Sequence, residues 1–270
     1  MCARGALSRW LTRLRSRRWS DIEEQLAVLF AALSTLWSLT PHGARCSLAQ
    51  LLGQLYASAR HRALLAEGAA GRYRQRASYV VPFAGCWHVL RGGLTPKDSH
   101  AWALPHQRYA YDFVIVGGSR THRGSGLRLE DYYAYGRPVL APARGVVVEV
   151  RDGCPDNPPR RLLLGAVRDM RGNYVIIRHA YGEYSLLAHL KCGSVRVRVG
   201  DAVAEGQVVA ECGNSGLSSE PHLHFQVQNS RDFYACVSLP VKVTYVAGGE
   251  VRTRYLRRGV TVCSPYMRTK

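Results

Sequence analysis

The sequence predicts a mainly β fold, an antiparallel sheet of barrel or sandwich type, preceded by an α-helical segment. Three observations carry this. Hydrophobic periodicity changes from helical to strand spacing near Ser78. Turn-forming clusters then recur between short apolar runs: Gly117-Gly118-Ser119, 152–159, Gly200-Asp201 and 213–221. Val195-Arg-Val-Arg-Val199 alternates strictly, which in an extended chain places three valines on one face and two arginines on the other.

The helical region spans 1–77. Ser20 followed by Glu23 is a capping box, and Ile22, Leu26, Leu29, Leu33 and Leu36 behind it share one helix face. Thr40-Pro41-His42-Gly43 stops that helix. Ser47 with Gln50 caps a second, whose stripe is Leu48, Leu51, Leu52, Leu55 and Ala59. Two capped helices around a short breaker read as a helical hairpin, and 68–76 reads as a basic linker. The β domain occupies 78–232. Its strands are expected at 79–83, 110–116, 145–151, 173–179, 183–189, 195–199, 207–211 and 222–227. Residues 233–270 are expected to add a β extension packed on that core.

Composition narrows the class. Of 270 residues, 47% are hydrophobic and 21% charged, which excludes a mainly disordered chain. A net charge of +18 points to an anionic partner: nucleic acid, an acidic lipid surface or a wall polymer. Arginine is spread along the whole chain with no nucleic-acid-binding signature, so a specific nucleic-acid partner is not expected. The Arg-rich stretch from Arg9 to Arg18, ahead of an apolar stripe, suits an anionic membrane surface. No run reaches the ~18–20 apolar residues of a spanning helix. The longest, 26–39, is interrupted by Ser34, Thr35 and Ser38. Asp21, Glu23 and Glu24 separate it from the basic start, which favours an amphipathic helix over a secretory signal. Eight cysteines contain no CxxC, so neither a four-cysteine zinc cage nor a thioredoxin motif is present, and the redox compartment stays open.

The ten histidines carry the most chemistry. In His222-Leu-His224 the two rings share one face of a strand, about 6.6–7 Å apart. One can bind a metal while the other stands beside it, although an isolated pair of this kind is more commonly a half-exposed strand feature. His189 closes the apolar run 185–189. Asp112 is out of character in Tyr109-Ala-Tyr-Asp-Phe-Val-Ile115 and needs a cation, hydrogen bonds or a metal. Arg108 is one candidate partner. Upstream lie His100 and His106. An extended chain from 106 to 112 would hold those side chains about 20 Å apart. His100 sits in a loop that can fold back, so geometry favours His100 and keeps His106 as the alternate.

Several stretches together resemble the lysostaphin/LytM-type zinc metallopeptidases. They are Pro138-Val-Leu-Ala-Pro-Ala-Arg-Gly-Val-Val147, Asn173-Tyr-Val-Ile-Ile-Arg-His179, Gly182-Glu-Tyr-Ser-Leu-Leu-Ala-His-Leu190, 199–210, and Gly213-Asn-Ser-Gly-Leu-Ser-Ser-Glu-Pro-His-Leu-His-Phe225. The likeness runs in order over roughly 100 to 228 and leaves the N-terminal helices uncovered. It implies a LytM peptidase core and hydrolysis of peptide bonds in bacterial peptidoglycan. It also implies a Zn2+ site built from Asp112, His224 and an upstream His, with His189 and His222 as catalytic non-ligands. The usual family spacing puts a His four residues before the Asp, where this chain has Arg108. The stretch Gln107-Arg-Tyr-Ala-Tyr-Asp-Phe113 instead resembles a variant branch with a preceding His-bearing loop, which assigns the first ligand to His100. Two imidazoles and a carboxylate leave zinc an open position, as catalytic sites require. No HExxH helix occurs, and Glu183 and Glu220 are not expected to act in catalysis. An extracytoplasmic location follows from the same resemblance. A catalytically inactive relative that binds cell wall or a protein partner is the alternative.

Overall fold

The computed structural model describes residues 69–160, 169–179 and 182–266, together with scattered positions between 48 and 66. The first expected helix and both capping boxes lie outside the described residues. Of the second helix, positions 48, 52, 53 and 55–60 are helical. The compact unit Leu48–Lys270 holds everything described below.

The periodicity change near Ser78 marks the start of a mainly β structure. Among the described residues, the short helix α1 (Ala69–Arg72) is followed by thirteen strands. They are β1 (Tyr79–Val80), β2 (Cys86–Arg91), β3 (Tyr111–Val114), β4 (Pro138–Leu140), β5 (Gly145–Arg151), β6 (Asn173–Arg178), β7 (Tyr184–Leu190), β8 (Ala202–Val203), β9 (Val208–Glu211), β10 (Leu223–Gln228), β11 (Val243–Ala247), β12 (Glu250–Arg254) and β13 (Thr261–Cys263). Eleven form one sheet in the order β1-β11-β13-β2-β3-β10-β7-β6-β5-β8, with β12 beside β11, while β4 and β9 pair separately. Among the described strands β1 and β11 run parallel and the other pairs antiparallel.

Strand β10 lies at the middle of this order, and its sequence explains its place. Leu223, Phe225 and Val227 alternate with His224, Gln226 and Gln228, and all six are buried. The apolar three join the main core with Phe83, Trp87, Phe113 and Leu187. Phe83 packs on Trp87 and Phe113 at ring-centroid distances of 5.1 and 5.0 Å. Each such side chain contributes roughly 1.5–3 kcal/mol by leaving water. The polar three fill the opposite face, where they need partners rather than packing.

The strand expected at 195–199 does not join a ladder. Its Arg196 N–H bonds Val209 O at 2.8 Å, but Arg198 N–H turns to the Asp201 carboxylate. Val197 is buried and Val199 is 63% exposed, so the valines do not share one covered face. Strand β2, Cys-Trp-His-Val-Leu-Arg, lies between the strands expected at 79–83 and 110–116 and was not among those expected.

Residues 233–270 supply β11, β12 and β13 to the main sheet itself. β13 pairs with β2, and the directly opposed Cys263 and Cys86 are joined by a disulfide across 177 residues. The 68–76 segment, read as a basic linker, is pinned at its end. Glu183 accepts hydrogen bonds from Tyr73 Oη, from the backbone N–H groups of Arg76 and Ala77 at 3.0 and 3.1 Å, and from Tyr79 Oη at 2.8 Å. Glu183 is 2% exposed, and these four donors satisfy its carboxylate. Among the described residues no helix is long and apolar enough to cross a membrane.

Candidate metal centre

Asp112 and His224 are directly opposed residues on the adjacent antiparallel strands β3 and β10. The ladder itself therefore fixes their separation, and His224 Nδ1 lies 3.0 Å from Asp112 Oδ1. His100 arrives from a loop of successive turns. Thr95 O accepts from Asp98 N and Ser99 N, Ala101 O from Leu104 N, and Leu104 O from Gln107 N. This loop folds back over the sheet and sets His100 Nδ1 3.1 Å from Asp112 Oδ2. One donor atom from each of His100, Asp112 and His224 lies within 4.8 Å of the other two. His106 lies outside this group. Its ring is fully buried, edge-on to Phe233 at 4.8 Å, with Nε2 3.2 Å from the Gln107 amide.

Two further histidines border the group. His222 Nε2 is 3.8 Å from Asp112 Oδ1. The rings of His189 and His222 lie 4.7 Å apart, and those of His189 and His224 5.8 Å apart. His189 owes its place to an irregularity in β7. Asn173 pairs with Leu190 and Tyr174 with Ala188, which leaves His189 unpaired between them. Its φ is +60°, a left-handed conformation costing of order 1–3 kcal/mol for a non-glycine residue. Bulges of this kind re-aim side chains beside sites. Here the bulge is held by His189 N–H to Arg171 O and Gly213 N–H to His189 O, both at 3.0 Å. Gly172 and Gly216 let the neighbouring loops close on it. A Cβ on Gly216 would lie 2.3 Å from Gly172 N.

The hydrogen bonds fix which nitrogen of each ring carries its proton. His189 Nδ1 is 2.8 Å from Ser215 O, and His222 Nδ1 is 2.8 Å from Glu220 O. A carbonyl oxygen only accepts, so both rings donate through Nδ1 and present Nε2 with a lone pair when neutral. His224 is reversed. The Gln226 amide nitrogen donates to His106 O and to Gln228 Oε1, each at 2.7 Å, and Gln228 donates onward to Ser230 O at 2.7 Å. That leaves Gln226 Oε1 facing His224 Nε2 at 3.0 Å, so Nε2 carries the hydrogen. His224 Nδ1 then turns a lone pair toward the Asp112 carboxylate. Two acceptors at 3.0 Å require a proton or a cation between them, so the donor set fits a bound metal ion.

The electrostatics agree. Burial disfavours the Asp112 charge, but the imidazoles of His100, His224 and His222 more than offset this and hold its carboxyl far below the ordinary carboxylate range. Burial, then the neighbouring His222 and His224, pushes His189 well below the usual imidazole range, so it is neutral at pH 7. The residues missed in the sequence are Gln226 and Gln228. Their signal was the unbroken alternation His222-Leu-His224-Phe-Gln226-Val-Gln228, which continues the polar face past the histidines.

Residues 121–235 match the sequence model of peptidase family M23. The M23 match takes in His189, His222 and His224 and begins downstream of His100 and Asp112. An uncharacterized metalloprotease of Haemophilus influenzae is 31% identical over 112 residues, 42% of this chain and 19% of that protein. Peptidoglycan DD-endopeptidase ShyC of Vibrio cholerae is 28% identical over 155 residues, 53% of this chain and 31% of its own. This chain thus spans less than a third of the length of these two relatives. Among solved structures, the catalytic domain of lysostaphin from Staphylococcus simulans is similar at 20% identity and a TM-score of 0.32. It covers 63% of this chain and 90% of that one.

Proposed function

We propose that this chain is a zinc metalloendopeptidase that hydrolyses peptide bonds of bacterial peptidoglycan outside the cytoplasm. In this reading His100, Asp112 and His224 hold the zinc, and His189 and His222 are the catalytic histidines. The observation that carries it is the convergence of one carboxylate and four imidazoles, with two Nε2 lone pairs left over after the three donors are assigned. Relatives named as peptidoglycan DD-endopeptidases support the substrate class.

Zinc, when bound, polarises a scissile carbonyl and acidifies water. The protein supplies the rest. Asp112 neutralises part of the ion's charge, and Gln226 keeps the His224 lone pair on Nδ1. Neutral His189 accepts a proton from the attacking water at Nε2, while Ser215 O stabilises the resulting imidazolium through Nδ1–H. His222 is held at Nδ1 by Glu220 O and turns Nε2 to the same space, where a proton taken up from solvent would be donated to the oxygen that gains charge. The +18 chain would be drawn to a wall rich in anionic polymer.

Purified full chain, analysed for metal and incubated with isolated peptidoglycan, tests the reading. The expected result is about one zinc per chain and release of new amino termini. Asp112→Ala should lose the zinc, and His189→Ala should keep it while losing hydrolysis. A chain with no stoichiometric zinc would overturn the proposal. Zinc with intact peptidoglycan would favour the inactive, wall-binding alternative.

A further inference from the structure

We propose that Cys154 and Cys192 form a reversible disulfide that clamps the loop behind the histidine site. The segment containing Cys154 lies across the turn containing Cys192 and grips it on both sides. Two residues before Cys154, the Asp152 carboxylate accepts from Gly193 N–H at 2.8 Å and Val195 N–H at 3.2 Å. Two residues after it, the Asp156 carboxylate accepts from Cys192 N–H at 3.2 Å. Between them the Cys154 backbone is fixed by one side chain. Cys154 N–H donates to Asn173 Oδ1 and Asn173 Nδ2 donates to Cys154 O, both at 2.7 Å. The same Asn173 Nδ2 donates to Leu190 O at 3.1 Å, two residues before Cys192.

Access separates this pair from the other free cysteines of the described residues. Cys212 and Cys236 are fully buried, whereas Cys192 is exposed and Cys154 half-exposed. The Cys86–Cys263 bond means that the fold already carries one disulfide. The Cys192 thiol is pushed up by burial, then by Asp152, Asp156 and the neighbouring Cys154. Its thiolate is scarce at neutral pH, so uncatalysed exchange is slow.

The oxidant is a disulfide, either a small molecule such as oxidised glutathione or a protein donor. One cysteine thiolate attacks it, forming a mixed disulfide and expelling a thiolate. The second cysteine then attacks the protein-bound sulfur and expels the other. Two protein thiols are oxidised, one donor disulfide is reduced to two thiols, and the two protons pass to the leaving groups.

The clamp bears on the site through its own loop. Asp156 Oδ1 accepts from Asn214 N–H at 2.6 Å, and Asn157 Nδ2 donates to Gly216 O at 2.6 Å. The 214–218 loop held this way carries Ser215 O, which orients His189, and Ser218 Oγ, 3.1 Å from His222 Nδ1. Bridging the pair closes a loop of about 40 residues and restricts the unfolded chain, raising Tm by about 5 °C or more.

The test equilibrates the full chain in glutathione buffers of graded oxidation, then alkylates and maps peptides by mass spectrometry. The expected result is a linked 154–192 peptide, two fewer alkylated thiols and a higher Tm. Cys154→Ser or Cys192→Ser should each remove these changes and leave Cys86–Cys263 intact. Alkylation of both cysteines in buffers that preserve Cys86–Cys263 would overturn the proposal, and so would glutathione attached to each separately. This readout is covalent and independent of zinc or hydrolysis, so it stands or fails separately from the peptidase reading.

Discussion

Replacing Gln226 by leucine tests whether the glutamine orients His224, the proposed metal ligand beside it. The substitution removes the acceptor for His224 Nε2–H and both donors that reach His106 O and Gln228 Oε1. Three buried polar groups lose partners, at about 1 kcal/mol or more each, so stability should fall by about 3 kcal/mol and Tm by roughly 6–12 °C. Zinc affinity should fall about 10–100-fold, because His224 no longer has a fixed tautomer. Gln226→Glu separates orientation from structural damage. A carboxylate still accepts from His224 Nε2–H but cannot donate to His106 O, so it should weaken the fold while keeping zinc affinity within about threefold of wild type. Chelator-competition titration gives the affinities, thermal melts give the stabilities, and imidazole nitrogen NMR reports the His224 tautomer. An unchanged zinc affinity in Gln226→Leu refutes the orienting role.

Other perturbations have separable outcomes. His106→Phe should leave zinc stoichiometry unchanged, measured by elemental analysis, because the ring lies outside the donor group and its Nδ1 has no hydrogen-bond partner. Acid should destabilise the metal-free fold between pH 6.5 and 4. Burial first, then His224, pushes His106 down to about 4, so below pH 6.5 the unfolded chain binds the extra proton, and stability falls as pH falls, by about 3 kcal/mol in full. In His106→Phe this loss should shrink, read by urea melts at pH 7 and pH 4.5. Glu183→Ala orphans four donors on 73–79 and should cost about 2–4 kcal/mol, open that segment to proteolysis and leave zinc binding intact.

Much of this was legible in the sequence because the chemistry-bearing residues sit on short strands with strong alternation. His222 and His224 announce a shared face, and Asp112 stands out amid aromatic neighbours. The return of His100 was less legible, since a loop's path depends on turns rather than on periodicity. The alternation at 195–199 misled, because it describes an extended chain but not whether a neighbour offers a ladder. The glutamines were overlooked because a buried Gln resembles a surface residue until its carbonyl partners are known. Cys86 and Cys263 are 177 residues apart, and only the sheet order brings them together.

Asp112 and His224 are set by the rungs of a ladder, whereas His100 comes in on a hinge of consecutive turns. The ladder half is fixed by strand pairing, and the loop half by its own turn hydrogen bonds. A histidine twelve positions upstream of the aspartate therefore reaches its carboxylate at 3.1 Å, because the turns between them, and not strand spacing, decide where its ring arrives.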